Sequence, residues 1–335
     1  MTQPDRTAGA AGGHRPVMLR EVLEVLNPRD GGIYVDGTFG AGGYSRALLD
    51  AADCTVWGVD RDPDAIAAGA ALAQRYRGRL NLVTGRFGDM ATLLNARGVD
   101  ATDGIALDIG VSSMQLDRPE RGFSFRADGP LDMRMEKQGE SAADVVNERS
   151  ERELADLIHH YGEERRARAI ARAIVSARRT APITGTLQLA EIVRRLFGGK
   201  SPTGIDPATR TFQALRIYVN DELGELDRGL VAAEALLRSG GRVAVITFHS
   251  LEDRRVKRFL RLRSGRAPQQ SRHRPQRPAA SFDPDPSFRL LPADGSIPTT
   301  DEVRANPRAR SARLRVGERT AAPAWPRDRG AEVAP

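Results

Sequence analysis

Two acidic residues and a glycine-rich stretch stand where a nucleotide-like ligand can be bound. Asp36 follows a short run of β-forming residues, and Gly40 and Gly42 come four and six positions later. Glycine lets backbone N–H groups approach a ligand closely, so such a loop is typical of a nucleotide site. Asp60 follows a second β-forming run, twenty-four positions after Asp36. An acid at that place can accept hydrogen bonds from both hydroxyls of a ribose.

The loop does not fit the common phosphate-binding motifs. G-x-G-x-x-G is not met, and G-x-x-x-x-G-K-[ST] is absent. The spacing instead has the looser D-x-x-x-G-x-G form of class I methyltransferases, whose cofactor S-adenosylmethionine carries no phosphate. We favour ribose binding for Asp60 because the loop and the acid occur together. The alternative is that Asp60 caps the helix that begins near Pro63, a role that Asp62 could also fill.

The elements that would position these residues alternate along the chain. β-forming runs at 33–35, 55–59, 80–83, 104–110 and 240–248 are separated by helical patterns, one of which starts at Ser45. This alternation predicts a parallel α/β sheet that binds its ligands at the carboxyl ends of the strands. The alternating segment 311–316 predicts a closing edge strand.

The pattern breaks after Gly110. A long loop dense in Gly, Pro and Asp is followed by helical apolar spacing at 154–161, 167–174 and 189–197, with no strand between them. Asp206 and Pro207 then predict the start of a further helix. The pattern predicts an α/β fold with an inserted all-helical domain, and the resemblance of the glycine loop makes the expected sheet that of a class I (Rossmann-like) methyltransferase. The divisions are 1–115 (methyltransferase domain, first part), 116–206 (loop and helical insertion) and 207–335 (second part). From their composition, we expect residues 1–13 to form a mobile arm and the proline-rich segment 264–300 to be partly disordered.

Composition limits the function only weakly. The chain has 51 basic and 44 acidic residues, a formal charge of +7, and ten basic residues but no acid from Arg254 to Arg277. Such a balance hints at nucleic acid or an anionic membrane. Cys54 is the single cysteine, which excludes an internal disulfide and a thiolate metal cluster, and we expect no metal. Without an apolar secretory or membrane-spanning segment, the sequence predicts a soluble cytoplasmic protein with no membrane partner.

Long blocks in one order then carry a family resemblance. One block is Asp36-Gly-Thr-Phe-Gly-Ala-Gly-Gly-Tyr44. The others are 14–19, 107–113, 121–125, 128–134, 161–165, 209–216, 247–253 and 306–310. With these blocks the chain closely resembles the bacterial small-subunit ribosomal RNA methyltransferase H family, also called MraW. The resemblance covers most of residues 14–320 and implies methylation of N4 of one cytosine, cytosine 1402 of 16S rRNA, in the decoding centre.

The resemblance also implies a cofactor and its contacts. The cofactor is S-adenosylmethionine, and the partner is 16S rRNA in the small ribosomal subunit. The implied cofactor-binding residues are Gly40, Gly42, Gly43, Tyr44, Asp60, Phe87, Asp108 and Gln115. Tyr44 departs from the family, in which many members carry His, and this leaves open a contact through the backbone. Phe87 could stack on adenine or simply fill the core.

The chemistry places further demands on the site. Cytosine N4 is a poor nucleophile because its lone pair is delocalised into the ring, so the site must accept an N4 hydrogen. Asp108, at the end of the fourth strand, is our candidate catalytic residue. The [DNS]-P-P-[FYW] motif of DNA amino-methyltransferases is replaced here by Asp108-Ile-Gly-Val111, so that mechanism is not transferred.

Several substrate contacts stay open alternatives. Ser112, Ser113 and His249 could contact the substrate, although His249 could instead cap the helix after it. Phe123 and Phe125 could stack on a flipped base or anchor their loop to the core. Two surfaces could contact RNA phosphates: the helical face with Arg165, Arg166, Arg168 and Arg172, and the run from Arg254 to Arg277.

Two other classes of function remain possible from the sequence alone. One is a binding protein that holds RNA on a methyltransferase-like sheet without turnover, and the other is a nicotinamide oxidoreductase. Retention of Asp60 and of the loop glycines speaks against the first, and the cofactor that binds would separate the two. The oligomeric state, monomer or homodimer, and the choice between naked rRNA and an assembled subunit stay open.

Overall fold

A computed structural model describes residues 16–198, 204–266 and 284–326 of the chain. Three sequence interpretations reach beyond these ranges. The N-terminal arm of residues 1–13 lies outside them entirely. So do residues 267–277 of the basic run and residues 267–283 of the proline-rich segment.

A seven-stranded sheet forms the centre of the protein. Its order is β3-β2-β1-β4-β5-β7-β6; strands β1 to β5 are parallel, and β7 is antiparallel to both of its neighbours. The strands are β1 (Ile33–Asp36), β2 (Thr55–Asp60), β3 (Leu80–Thr84), β4 (Thr102–Asp108), β5 (Leu237–Thr247), β6 (Phe288–Leu290) and β7 (Arg313–Arg319). The chain reverses its direction of strand addition at β1, whose neighbours are β2 and β4. Ligands of such sheets bind at the carboxyl ends of the strands beside this point.

Helices cover both faces of the sheet, as its apolar strands require. On β1, Tyr34 packs in one apolar cluster with the first two helices, and Val35 packs in the other with the helix before β5. The helices flanking the sheet are α1 (Leu19–Leu26), α2 (Gly43–Ala51), α3 (Pro63–Arg75), α4 (Met90–Asn95), α5 (Ser113–Leu116), α11 (Glu222–Leu236), α12 (Ser250–Arg263) and α13 (Thr300–Ala305). The α/β prediction is confirmed.

A separate apolar cluster holds the helices between β4 and β5. They are α6 (Ala142–Glu148), α7 (Glu151–Gly162), α8 (Ala167–Arg178), α9 (Thr186–Arg195) and α10 (Thr209–Asn220). Phe212 and Leu215 of α10 are buried in this cluster. The helical unit therefore packs as far as α10, beyond residue 206, where the sequence-based division places its end. That three-part division stays a prediction.

The C-terminal strands correct one expectation. Residues 311–316 were expected to form a closing edge strand. Most of them do form a strand, β7, but β7 lies between β5 and β6, so the predicted edge position is wrong. The true edge is the three-residue β6, within the segment expected to be partly disordered. Phe288 is 1 % exposed and packs against α12, which holds this short strand in place.

The helix expected at Asp206 begins three residues later, at Thr209. The Asp206 carboxylate accepts a hydrogen bond from the backbone N–H of Ala208 at 2.9 Å and forms an ion pair with Arg194 at 2.8 Å. It therefore tethers α10 to α9 ahead of the helix. Within the described ranges, no helix has the length and apolarity needed to cross a membrane.

Candidate active site

The glycine loop between β1 and α2 is hydrogen-bonded to two neighbouring strands, β4 and β2. The N–H of Gly37 donates to Ala106 O at 2.9 Å, and that of Phe39 donates to Val59 O at 3.0 Å. Gly42 has a φ of +73°, and a Cβ added there would lie 2.6 Å from Leu72 and 2.8 Å from Phe39. A side chain at Gly42 would be strained both by its backbone conformation and by its neighbours. The sequence therefore folds here into one fixed loop.

Asp36 anchors that loop to α2. It is fully buried, and its Oδ2 accepts hydrogen bonds from the Ser45 N–H at 3.1 Å and the Ser45 hydroxyl at 2.7 Å. Its Oδ1 is enclosed and has no hydrogen-bond partner among the described residues. Burial raises the pKa of Asp36 to about 6, against the Ser45 hydrogen bonds that lower it.

Asp60 ties the end of β2 to the same loop. Its Oδ2 accepts a hydrogen bond from the Gly40 N–H at 2.7 Å, and its Oδ1 accepts one from the Asp62 N–H at 2.8 Å. Burial raises the pKa of this carboxyl group. The cap of α3 is Asp62, which accepts the Asp64 N–H at 3.0 Å. Asp62, and not Asp60, is therefore the residue that caps α3, and Asp60 lies beside the glycine loop.

A cavity of about 410 Å³ opens at the carboxyl ends of β1, β2, β4 and β5. Seven of the eight predicted cofactor-binding residues line it: Gly40, Gly43, Tyr44, Asp60, Phe87, Asp108 and Gln115. Gly42 is not in the lining and packs beneath the loop. The volume lies in the range typical of small-molecule sites. A shallower depression of about 490 Å³ lies on the helical unit around Tyr161 and Tyr218, and none of the predicted residues lines it.

Asp108 lies on the wall of the cavity at the end of β4. Its backbone N–H donates to the Thr38 hydroxyl at 2.7 Å, and its Oδ1 is enclosed without a hydrogen-bond partner in the described parts of the chain. Burial, followed by the negative charge of Asp36, raises the pKa of Asp108 to about 8, although the Tyr44 hydroxyl opposes the shift. An enclosed, unpartnered carboxylate oxygen fits a ligand that brings a positive charge or an N–H donor.

Tyr44 and Gln115 line the cavity with side chains that are already engaged. The Tyr44 hydroxyl donates to Val17 O at 2.5 Å and so holds the segment before α1 against the loop. The Gln115 amide accepts the Ser112 N–H at 3.0 Å and donates to Asp62 Oδ2 at 2.9 Å. Both residues therefore shape the cavity.

Phe87 both lines the cavity and packs in the core, the two alternatives considered for it from the sequence. It follows β3 in a short helical turn and lines the cavity. Its ring also packs on α11 so closely that a Cβ at Gly229 would lie 2.4 Å from it. The ring is thus held firmly while part of it faces the ligand space.

Comparison with known proteins identifies the family of the chain. The MraW methylase family matches residues 11–320. This chain belongs to that family. It is 62 % identical over 312 residues to Ribosomal RNA small subunit methyltransferase H of Paramagnetospirillum magneticum, covering 93 % of this chain and 97 % of the relative. It is 64 % identical over 311 residues to the protein of the same name from Rhodospirillum centenum, covering 93 % of each chain.

In this member of the MraW methylase family, Phe123 and Phe125 of the long loop pack inward. Phe123 is 6 % exposed, and Phe125 meets Phe212 of α10 edge to face with ring centroids 4.7 Å apart. Of the two alternatives, the structure therefore favours anchoring of the loop over stacking on a base.

His249 is the N-cap of α12, as the capping alternative predicted. Its Nδ1 accepts the Glu252 N–H at 3.5 Å. Its Nε2 lies 2.9 Å from Glu252 Oε1, but neither atom has a partner with hydrogen-bond geometry among the described residues. These two residues and Glu222 lie close enough to hold a metal ion. However, Arg216 already engages both Glu222 oxygens, and the expectation of no metal stays a prediction.

Sequence reasoning missed the ion pairs that close the two ends of the cavity. Arg61 donates to Glu136 at 2.9 Å and to Glu225 at 2.5 Å, and this joins the sheet, the long loop and α11 beside Phe87. Burial raises the pKa of Glu225 to about 7. At the mouth, Arg308 donates to Ser113 Oγ at 2.9 Å and forms an ion pair with Asp117. Partners so far apart in the chain leave no local signal.

Proposed function

We propose that this chain is an S-adenosylmethionine-dependent methyltransferase that modifies N4 of cytosine 1402 in 16S rRNA of the small ribosomal subunit. Family membership and the names of the relatives support an rRNA methyltransferase. The choice of cytosine and of its N4 atom is supported by the sequence resemblance, and the unpartnered Asp108 oxygen on the cavity wall is compatible with an amine substrate. The enzyme would then act in the cytoplasm, on the decoding centre of the small subunit.

One observation carries the choice of cofactor. Three carboxyl groups, those of Asp36, Asp60 and Asp108, surround a loop of residues 37–42 that has no basic side chain. This arrangement disfavours the pyrophosphate of a nicotinamide dinucleotide and favours a ligand that carries positive charge. The rival oxidoreductase function is therefore the weaker one.

The residues present fit S-adenosylmethionine. Asp60 would hold the ribose, Phe87 would lie against the adenine, and the loop N–H groups and Asp108 would face the methionine end. When bound, this cofactor supplies an electrophilic methyl group on a sulfonium sulfur. The Gly40 N–H, which Asp60 holds at 2.7 Å, fixes the loop before any ligand arrives. Alignment of this kind contributes much of the rate gain in a displacement reaction.

Asp108 would be the group that manages the proton. As a carboxylate it accepts a hydrogen bond from the N4 amine and so holds the nitrogen towards the methyl donor. Once N4 carries the methyl group it must lose one proton, and the raised pKa of Asp108 makes its carboxylate a suitable acceptor. Asp108 would therefore both position the N4 amine and accept its proton.

Two basic surfaces remain candidates for docking the RNA, but the structure changes the argument for one of them. Within the basic run, Arg254 pairs with Glu163 at 2.7 Å and Arg255 pairs with Asp227. The sequence argument that no acid balances this run therefore does not hold for these two residues.

The other surface consists of arginines on α8 and in the turn just before it. Arg165 and Arg168 on the helical unit are exposed, and no hydrogen bond or ion pair within the described ranges involves their side chains. They are the better candidates for phosphate contact.

The test is transfer of labelled methyl groups from S-adenosylmethionine to small subunits that lack the modification, with naked 16S rRNA as a second substrate. We expect methylation by the wild-type protein and a strong reduction in Asp60→Ala at low cofactor concentration. Binding of both RNA and cofactor without any transfer would instead support the binding-protein alternative.

A further inference from the structure

The cavity extends past the cofactor loop to a wall formed by the helical unit and α11. Arg216 of α10 and Glu222 of α11 lie on this wall, in the same cavity as Asp108. None of the roles proposed above for the cofactor uses them. Their position suits the part of the substrate that accompanies the reacting amine.

Arg216 is held in one orientation. Its Nε donates to Glu222 Oε1 at 2.7 Å, and its Nη2 donates to Glu222 Oε2 at 2.9 Å. A left-handed residue between the two helices, Asp221 with a φ of +48°, turns Glu222 back towards Arg216. A two-point guanidinium–carboxylate pair is rigid, and it leaves the two N–H groups of Nη1 and one of Nη2 for another acceptor.

Position separates Arg216 from the other two arginines of the cavity. Three arginines line the cavity: Arg61, Arg216 and Arg308. Arg61 is engaged by Glu136, Glu225 and the backbone oxygen of Asn220 at the adenosine end. Arg308 is engaged at the mouth by two partners. Arg216 is the one on the wall with the helical unit.

Cytosine presents a donor and two acceptors along one edge: the N4 amine, N3 and O2. Asp108 can accept from N4, and this leaves N3 and O2 in need of donors. Uracil would place its O4 acceptor against Asp108 and its N3–H donor against a guanidinium, so both contacts would be unfavourable. Adenine shares the amine and the ring-nitrogen acceptor but has a C–H where cytosine has O2.

We propose that Arg216, oriented by Glu222, donates hydrogen bonds to N3 and O2 of the target cytosine and is a specificity-determining residue. The proposal rests on the function proposed above. Asp108 and Arg216 together then form an acceptor and a donor that match cytosine and mismatch uracil. The alternative is that Arg216 and Glu222 form only a structural ion pair that joins α10 to α11.

The experiment is a cycle that changes both the protein and the base. Small subunits are reassembled with ligated 16S rRNA that carries cytosine or 3-deazacytosine, which lacks the N3 acceptor, at the target. Single-turnover kcat/KM is measured for the wild-type enzyme and for Arg216→Met. Loss of N3 should slow the wild-type enzyme about 10- to 100-fold, because a buried donor loses its acceptor. Arg216→Met should be slow with cytosine and lose little more with 3-deazacytosine.

The matched control is Arg194→Met, which breaks the ion pair of the helical unit with Asp206 away from the cavity. It should keep the full wild-type penalty for 3-deazacytosine. If Arg216→Met does not fold, as judged by lost S-adenosylmethionine affinity, Arg216→Lys decides, because it keeps the charge but loses the fixed fork. An unchanged 3-deazacytosine penalty in the folded variant would overturn the proposal. Absence of cytosine methylation by the wild-type enzyme would instead overturn the proposed function.

Discussion

The ionisation of Asp108 should control how tightly the cofactor binds. Its carboxyl group has a pKa raised to about 8 by burial and by Asp36, so at neutral pH it is mostly protonated in the free protein. The sulfonium of S-adenosylmethionine interacts more favourably with the carboxylate than with the neutral acid. Binding should therefore release a proton from Asp108.

The size of the effect follows from that pKa. One unit below it, at pH 7, about one molecule in ten carries the ionised group. If the cofactor binds only this form, its apparent Kd at pH 7 is about tenfold higher than at pH 9. The corresponding free energy is about 1.4 kcal/mol. Affinity should rise with pH up to about 8 and then level off.

Isothermal titration calorimetry from pH 6.5 to 9 checks this, with buffers of different ionisation enthalpy to count the released protons. S-adenosylhomocysteine, which lacks the sulfonium charge, is the ligand control, and Asp108→Asn is the protein control. We expect the pH dependence to be strongest for S-adenosylmethionine with the wild-type protein and to flatten in the variant. Equal pH slopes for both proteins would refute the reasoning.

Three further predictions concern binding, stability and docking. Asp60→Ala should weaken S-adenosylmethionine binding, by roughly 1.5–3 kcal/mol for each ribose hydrogen bond lost; unchanged affinity in calorimetry would remove the ribose role. In the folded state the pKa of Asp36 is raised to about 6 from an ordinary 3.8. Between these two values the folded protein keeps a proton that the unfolded chain has lost. The contribution of Asp36 to the free energy of unfolding therefore falls as pH rises from about 4 to 6. Asp36→Asn should remove that slope, worth up to about 3 kcal/mol, in urea unfolding at pH 4, 5 and 7; an identical slope in both proteins would contradict the cause. Replacing Arg165 and Arg168 by Gln should lower the salt dependence of subunit binding by roughly 1.4–1.8 in log–log slope while cofactor affinity stays unchanged, and an unchanged slope would exclude this surface.

Local sequence signals predicted the parts of the site that are built from neighbouring residues. The runs that became β1 and β2, the loop and the acid at Asp60 lie close together in the chain, so periodicity and spacing were sufficient. The same holds for the capping alternative at His249, because the cap and the helix are adjacent. The fold of the sheet followed from these elements.

The rest depended on contacts between distant residues. The 164 positions from Arg61 to Glu225 contain the whole helical unit, and no spacing rule links them. β6 has three residues, too few for a periodic pattern, and its pairing with β7 is what defines it. The balance of Arg254 by Glu163 likewise appears only when α7 and α12 meet. Charge runs read along the chain therefore overstate the free charge on the surface.

The most direct test of the central claim identifies the methylated atom. Small subunits that lack the modification are incubated with the purified protein and S-adenosylmethionine, and the 16S rRNA is digested to nucleosides and to one fragment around the decoding centre. Mass spectrometry against synthetic standards then distinguishes N4-methylcytidine from 5-methylcytidine and from 2′-O-methylcytidine. The proposed site predicts N4-methylcytidine at one position and its loss with Asp108→Asn. Methylation at another atom, or the same yield from Asp108→Asn, would contradict it.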